Sequence, residues 1–96
     1  MLNSEFSYCG GALSCEDAPL STIAETYGTP AYVYSKRGIV ARFQAYEQAL
    51  GGISHRVCFS VKSNSNLAVL ATLAREGAGF DIVSGGELFR VLQAGG

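Results

Sequence analysis

The fold is decided by residues 56–84, which read RVCFSVKSNSNLAVLATLAREGAGFDIVS. Arg56–Lys62 alternates apolar residues with small or polar ones, which predicts a strand. Asn66–Glu76 carries the apolar spacing of a helix, and Gly79–Ser84 predicts a second strand. Strand, helix and strand with short connections indicate a right-handed crossover between two parallel strands.

Further helices flank this segment. Ile39, Phe43, Tyr46 and Leu50 form an apolar stripe over Arg37–Leu50, and Glu87–Ala94 repeats the pattern. The order from Arg37 onward is therefore α, β, α, β, α, which is typical of an α/β fold with a parallel sheet. No GxGxxG or GxxxxGK[S/T] motif precedes any of these helices, which disfavours the nucleotide-binding folds. A barrel built from eight βα units remains a possible fold, and the two units found here would form a quarter of it.

The first third of the sequence is less regular. Residues 1–18 show no clear period. Leu20–Tyr27 has apolar residues at helical spacing, and Gly28 suits the end of that helix. Ala31–Tyr34 is aromatic and β-branched, which predicts a short strand.

Composition excludes several classes of protein. The 96 residues carry a net charge of −1, with 48% hydrophobic and 16% charged residues. A nearly neutral, apolar chain argues against nucleic-acid binding and against disorder. No apolar run is long enough to span a membrane, and the first residues lack the pattern of a secretory signal. Because the helical pattern closes at the last residues, we expect an N-terminal piece of a longer protein.

Cysteine and histidine usage adds two expectations. Cys9, Cys15 and Cys58 are odd in number and lack CxxC spacing, and His55 is the single histidine. This pattern argues against a disulfide framework and predicts no metal site. A reduced, cytoplasmic protein is the default interpretation.

Lys62 is the first candidate for chemistry. It ends an apolar predicted strand, and α/β folds place their active sites at the carboxyl edge of the sheet. A desolvated lysine there has a lowered pKa and can form an imine with an aldehyde. The alternative is a lysine that ends the strand and reaches out to water.

Two carboxylates follow Lys62 in the sequence. Asp81 lies inside the next predicted strand, where an unpaired carboxylate is costly, so it is either a partner of Lys62 or engaged in a structural ion pair or a backbone hydrogen bond. Glu87 completes a capping box with Ser84, and this structural role accounts for a glutamate at position 87 without any catalytic role. Asn64 and Asn66 both suit a helix start.

The whole string resembles a known family. Cys58-Phe-Ser-Val-Lys-Ser-Asn-Ser-Asn-Leu-Ala-Val-Leu, followed by Gly79-Phe-Asp-Ile-Val-Ser-Gly-Gly-Glu-Leu, is similar to the diaminopimelate decarboxylases. These belong to the group-IV pyridoxal-phosphate decarboxylases, related in fold to alanine racemase. The run from Tyr27 to Ser35 also looks like the strand that leads into the family's barrel. The resemblance covers roughly residues 6–96.

The resemblance implies a fold and a reaction. It implies that residues 1–36 form a leading segment that joins a β-domain, and that residues 37–96 begin a pyridoxal-phosphate-dependent (β/α)8 TIM barrel. The implied reaction converts meso-diaminopimelate to L-lysine and CO2 in a cytoplasmic homodimer. A sister decarboxylase for ornithine, arginine or carboxynorspermidine, or an inactive fragment, remains an alternative.

The resemblance also implies site residues. Lys62 is the Schiff-base lysine for pyridoxal phosphate, Asp81 lies beside the cofactor's imine, and Glu87 borders the site. The family's phosphate loop, ring-stacking histidine, ring-nitrogen glutamate and partner-subunit cysteine belong downstream of Gly96. The fragment alone is therefore expected to be inactive.

Overall fold

The computed structural model describes residues 5–96, so residues 1–4 of the predicted segment 1–36 lie outside the described residues. The chain divides into two compact units between Gly38 and Ile39. Within residues 5–96, no helix combines the length and apolar character that a membrane crossing requires. The elements are β1 Phe6–Cys9, β2 Ala12–Cys15, β3 Ala18–Pro19, α1 Leu20–Tyr27, α2 Lys36–Ala49, β4 Cys58–Ser60, a 3₁₀ turn Val61–Ser63, α3 Leu67–Arg75, β5 Gly79–Asp81 and α4 Gly85–Gln93.

The first unit contains an antiparallel sheet that the sequence analysis missed. β1 pairs with β2, and β2 pairs with β3. Gly10 and Gly11 connect β1 to β2 with φ angles of 59° and 84°. Glycine reaches these positive φ values without strain, and the favoured two-residue hairpin turns require them. β1 is four residues long and largely exposed, so it lacks the long, half-buried alternation that signals a strand.

A carboxylate from the β2–β3 turn helps to cap α2. Oε2 of Glu16 accepts hydrogen bonds from the Ser35 hydroxyl at 2.7 Å and the Arg37 N–H at 3.0 Å. The Ser35 hydroxyl oxygen in turn accepts from the Gly38 N–H at 2.9 Å. The first turn of a helix leaves its N–H groups without partners, so these contacts fix where α2 begins. The hydrogen bond from the Ser35 hydroxyl lowers the pKa of Glu16 most, and the bond from the Arg37 N–H lowers it further.

The predicted strand at Ala31–Tyr34 is wrong. These residues have no regular secondary structure, and Tyr32 is 91% exposed. A strand exists only where a neighbour accepts and donates ladder hydrogen bonds, and no strand among residues 5–96 pairs with this segment. The aromatic and β-branched composition therefore predicted a strand that does not form.

The second unit confirms the predicted α/β alternation. β4 and β5 are parallel, with Cys58 opposite Gly79 and Ser60 opposite Asp81. A β-carbon on residue 79 would lie 2.8 Å from the Cys58 sulfur, so glycine permits the close approach of the two strands there. The structure confirms the parallel pair, but both strands are shorter than predicted.

Two aromatic rings join the core of this unit. Phe59 and Phe80 are opposite each other in the sheet, and both pack against each of two buried clusters. One cluster consists of Phe43, Val69 and Leu73, and the other of Val61, Leu70 and Val91. The predicted stripes are only partly buried: Tyr46 on α2 is 63% exposed. The core thus fixes the position of Val61, the residue before Lys62.

His55 ties the loop before β4 to helix α2. Its Nδ1 lies 2.9 Å from the Ile53 carbonyl oxygen, and its Nε2 lies 3.2 Å from Oε1 of Glu47. A carbonyl oxygen and a carboxylate oxygen can only accept hydrogen bonds, so both ring nitrogens donate when the ring is an imidazolium. The Ile53 carbonyl and then the Glu47 carboxylate raise the pKa of His55, against the opposing effect of desolvation.

We expect this contact to make stability depend on pH. A raised folded-state pKa stabilises the fold fully below the unfolded pKa of about 6.5, and this contribution is lost as the pH rises through the folded pKa. In the full-length protein with labelled histidine, the His55 resonance, identified by its loss in His55→Gln, should titrate above that value. Glu47→Gln is the matched variant and should bring the pKa down. A His55 pKa at the ordinary value, unmoved by Glu47→Gln, contradicts the assignment.

Candidate active site

The carboxyl ends of β4 and β5 form one edge of the parallel pair. Asp81 is the last residue of β5 and is opposite Ser60, the last residue of β4. Lys62 follows Ser60 after one further residue. Helix α3 connects the two parallel strands, so the loops that follow β4 and β5 begin at the same edge of the sheet. The structure therefore places the predicted lysine and aspartate at one edge of the sheet.

Lys62 lies in a 3₁₀ turn rather than in the predicted strand. Val61 before it is fully buried and anchors the turn, whereas Lys62 itself is exposed. The Asn64 N–H donates to the Val61 carbonyl at 3.1 Å and closes the turn. Among residues 5–96, nothing forms a hydrogen bond or ion pair with the Lys62 side chain. A fixed backbone therefore presents an unpaired primary amine.

Asp81 differs from its prediction in burial. It ends the short strand β5 instead of lying inside a longer one, and it is exposed. Because water can hydrate the exposed Asp81 carboxylate, that group needs no partner within the protein. Asp81 and Lys62 form no ion pair within the described part of the chain. The edge thus holds an amine and a carboxylate, each without a partner among residues 5–96.

Glu87 and Ser84 form the predicted capping box. The Ser84 hydroxyl oxygen accepts from the Glu87 N–H at 3.2 Å, and Oε1 of Glu87 accepts from the Val83 N–H at 2.8 Å. The reciprocal bond of such a box usually reaches the capping residue itself, whereas here it reaches the residue before it. The pair fixes the start of α4 directly after the loop that follows Asp81.

The asparagines organise the loop after Lys62. Oδ1 of Asn66 accepts from the N–H groups of Ala68 and Val69, which makes Asn66 the N-cap of α3. Oδ1 of Asn64 accepts from the Asn66 N–H at 3.0 Å. Of the two predicted caps, Asn66 is confirmed, and Asn64 shapes the loop that precedes it.

The sequence analysis assigned no role to Arg90 and did not predict its contact. Its Nε donates to the Ser65 carbonyl oxygen at 2.7 Å. Ser65 belongs to the loop between Lys62 and α3, and Arg90 belongs to α4. No local pattern marks a contact between residues so far apart in sequence, because it depends on how α3 and α4 pack.

A separate apolar groove of about 500 Å³ lies along α2 and β4. Phe43, Tyr46, Val57 and Cys58 are among its lining residues, and Lys62, Asp81 and Glu87 are not. Among residues 5–96, no group of three or more histidine, cysteine, aspartate or glutamate residues is arranged to hold a metal ion. The unpaired amine and carboxylate therefore place the candidate chemistry at the strand edge rather than in the groove.

Comparison with known proteins is consistent across sequence and structure. Residues 36–96 match the family described as pyridoxal-dependent decarboxylase, pyridoxal binding domain. A diaminopimelate decarboxylase of Pseudomonas fluorescens is 62% identical over 91 residues, which cover 95% of this chain and 22% of that protein. The enzyme of the same name from Vibrio cholerae is 54% identical over 86 residues, covering 90% of this chain and 21% of that protein.

Solved structures agree with these relatives. A protein of Aquifex aeolicus matches with a TM-score of 0.90 and 43% identity, over 97% of this chain and 23% of that one. Diaminopimelate decarboxylase of M. jannaschii in complex with L-lysine matches with a TM-score of 0.91 and 31% identity, with the same coverage. The chain therefore spans about a fifth of the length of the relatives it matches.

Proposed function

The chain belongs to the pyridoxal-dependent decarboxylases, and from this membership we propose that it works within an enzyme that converts meso-diaminopimelate to L-lysine and CO2. The observation that carries the proposal is the 62% identity over 95% of the chain to a diaminopimelate decarboxylase. Relatives from several bacterial genera bear the same name, which disfavours ornithine, arginine or carboxynorspermidine as the substrate.

The residues at the strand edge fit pyridoxal phosphate. The cofactor is an aldehyde, and Lys62 offers a primary amine with no partner among residues 5–96. Lys62 would hold the cofactor covalently through Nζ. Asp81, at the end of the neighbouring strand, would supply negative charge to a protonated nitrogen. Bound pyridoxal phosphate supplies an electron sink for the bond that releases CO2.

Each residue has a separate task. The buried Val61 anchors the backbone at the start of the turn that carries Lys62. The Lys62 amine would hold the cofactor through Nζ, and the same nitrogen would be the group that holds or moves a proton during the reaction. Glu87, proposed as the third site residue, borders the same edge, and its bond to the Val83 N–H holds the loop that follows Asp81.

The wider setting is also a proposal. Residues 1–36 would contribute to a β-domain and residues 37–96 would begin the (β/α)8 barrel, which the division at Gly38 and the family match from residue 36 support. The family resemblance supports a homodimer. Cysteine usage without a disulfide framework supports a cytoplasmic protein.

The test is release of labelled CO2 by the full-length protein supplied with pyridoxal phosphate. Carboxyl-labelled meso-diaminopimelate, ornithine and arginine are compared at equal concentrations. We expect kcat/KM to be highest for diaminopimelate, and the lysine formed should equal the CO2 released. A higher kcat/KM for ornithine or arginine would assign the protein to a sister activity, and the absence of release from all three would overturn the proposal.

A further inference from the structure

Arg90 connects the loop after Lys62 to helix α4. In the turn that carries Lys62, the Asn64 N–H donates to the Val61 carbonyl oxygen. Oδ1 of Asn64 in turn accepts from the Asn66 N–H. These bonds are internal to residues 61–66. The Arg90 Nε donates to the Ser65 carbonyl at 2.7 Å from outside the segment. A bond from a guanidinium to a carbonyl is charge-assisted and stronger than a neutral one.

The helix that carries Arg90 is itself held firmly. Its first turn is fixed by Ser84 and Glu87. Val91, the residue after Arg90, is 6% exposed and packs in one cluster with Val61 and Leu70. The Arg90 backbone is thus anchored through the same cluster that buries the residue before Lys62. The side chain spans from a fixed helix to a loop that has little burial of its own.

We propose that Arg90 is a positioning residue for Lys62. It links the β4–α3 loop to the last turn of α4, and Glu87 in the first turn of that helix bonds the loop after Asp81. This inference rests on the proposed function, because Lys62 has to be the cofactor-bonding lysine for its position to matter. Without the Arg90 bond, the Ser65 carbonyl is free to move and the amine samples more orientations. Loss of orientation lowers the rate of a reaction more than it lowers binding.

The test uses the full-length protein, first without cofactor and then loaded. Arg90→Met removes the donors and keeps the aliphatic stem, and Arg90→Lys keeps the charge without the planar guanidinium. Arg75→Met is the matched control, since Arg75 is exposed on α3 and has no hydrogen bond or ion pair within residues 5–96. The readouts are amide exchange of residues 62–66, the rate at which Lys62 captures pyridoxal phosphate, and the separate kcat and KM for diaminopimelate.

We expect Arg90→Met to speed exchange in residues 62–66 and to slow capture. We expect kcat to fall about tenfold, within the ~10²-fold that misplacement of a reacting group can cost, while KM changes little. Arg90→Lys should recover part of the loss, and Arg75→Met should match the parent. Capture and kcat at the parent's values in Arg90→Met overturn the inference. So does a loss accompanied by faster exchange throughout α4, which indicates a structural role.

These outcomes separate the inference from the proposed function. If the parent protein captures the cofactor at Lys62 and Arg90→Met captures it equally fast, the positioning role fails and the proposed function stands. If the parent protein captures no cofactor at Lys62, the proposed function fails and the positioning role fails with it.

Discussion

Replacing Lys62 with alanine in the full-length protein should abolish covalent attachment of pyridoxal phosphate and lower decarboxylation by roughly 10²–10⁴-fold or more. Alanine removes the amine that bonds the aldehyde, and general acid–base catalysis by a positioned group contributes a factor of that size by itself. Lys62 is exposed and forms no hydrogen bond within residues 5–96, so the melting temperature should change little. Visible absorbance of the bound cofactor and release of labelled CO2 measure the two effects.

The chain supplies a close control for this variant. Lys36 is the only other lysine of the sequence, and it lies at the start of α2 in the first turn. Lys36→Ala should keep both the absorbance and the activity. Lys62→Arg keeps the positive charge but cannot form the linkage, so it should resemble alanine. Activity of Lys62→Ala at the level of the parent protein would contradict the role given to Lys62.

Asp81→Asn should lower the pKa of the protonated nitrogen that links Lys62 to the cofactor by about one unit. A neighbouring negative charge favours the charged form of a nitrogen by one to three units when the groups are within ~4–6 Å. Asp81 is exposed, so solvent screening places the expected shift at the lower end. The measurement is a pH titration of the visible absorbance in the parent and in the variant. The linkage of the variant should deprotonate at lower pH.

The alternative for Asp81 is a structural role, and the two roles differ in a second measurement. Under the site role the melting temperature is nearly unchanged, since the carboxylate is exposed at a strand end and has no partner within residues 5–96. Asp17→Asn is the control, because Asp17 is the other aspartate of the sequence, is also exposed, and has only a surface ion pair with Arg37 at 3.9 Å within residues 5–96. An unchanged absorbance titration together with a large fall in melting temperature would contradict the site role.

Local signals predicted the helices well. Leu20–Tyr27 has the predicted bounds, and the other helices differ by one or two residues at their ends. Ser84 and Glu87 form the capping box that their spacing indicates, and Asn66 caps α3. Such features depend on residues within one turn of each other, so the sequence contains all the information they need.

Strands and long-range contacts were predicted less well. The antiparallel hairpin around Gly10 and Gly11 was missed, and Ala31–Tyr34 was assigned a strand that has no partner among residues 5–96. Strand identity depends on pairing, which local composition does not encode. Arg90 was missed for a related reason, because its bond to Ser65 depends on the packing of two helices. The sequence did predict that Lys62 and Asp81 lie at the carboxyl edge of the sheet, because the alternation of helices and strands implies parallel pairing.

We propose that Lys62 is the lysine that bonds pyridoxal phosphate. The most direct test is reduction of the cofactor-loaded, full-length protein with borohydride, followed by digestion and peptide mass spectrometry. The linkage becomes a stable amine on reduction, so the modified lysine can be read from the peptide masses. The pyridoxyl phosphate mass should be found on the peptide that contains Lys62. Its presence on another lysine, with the Lys62 peptide unmodified, would show that Lys62 does not bond the cofactor.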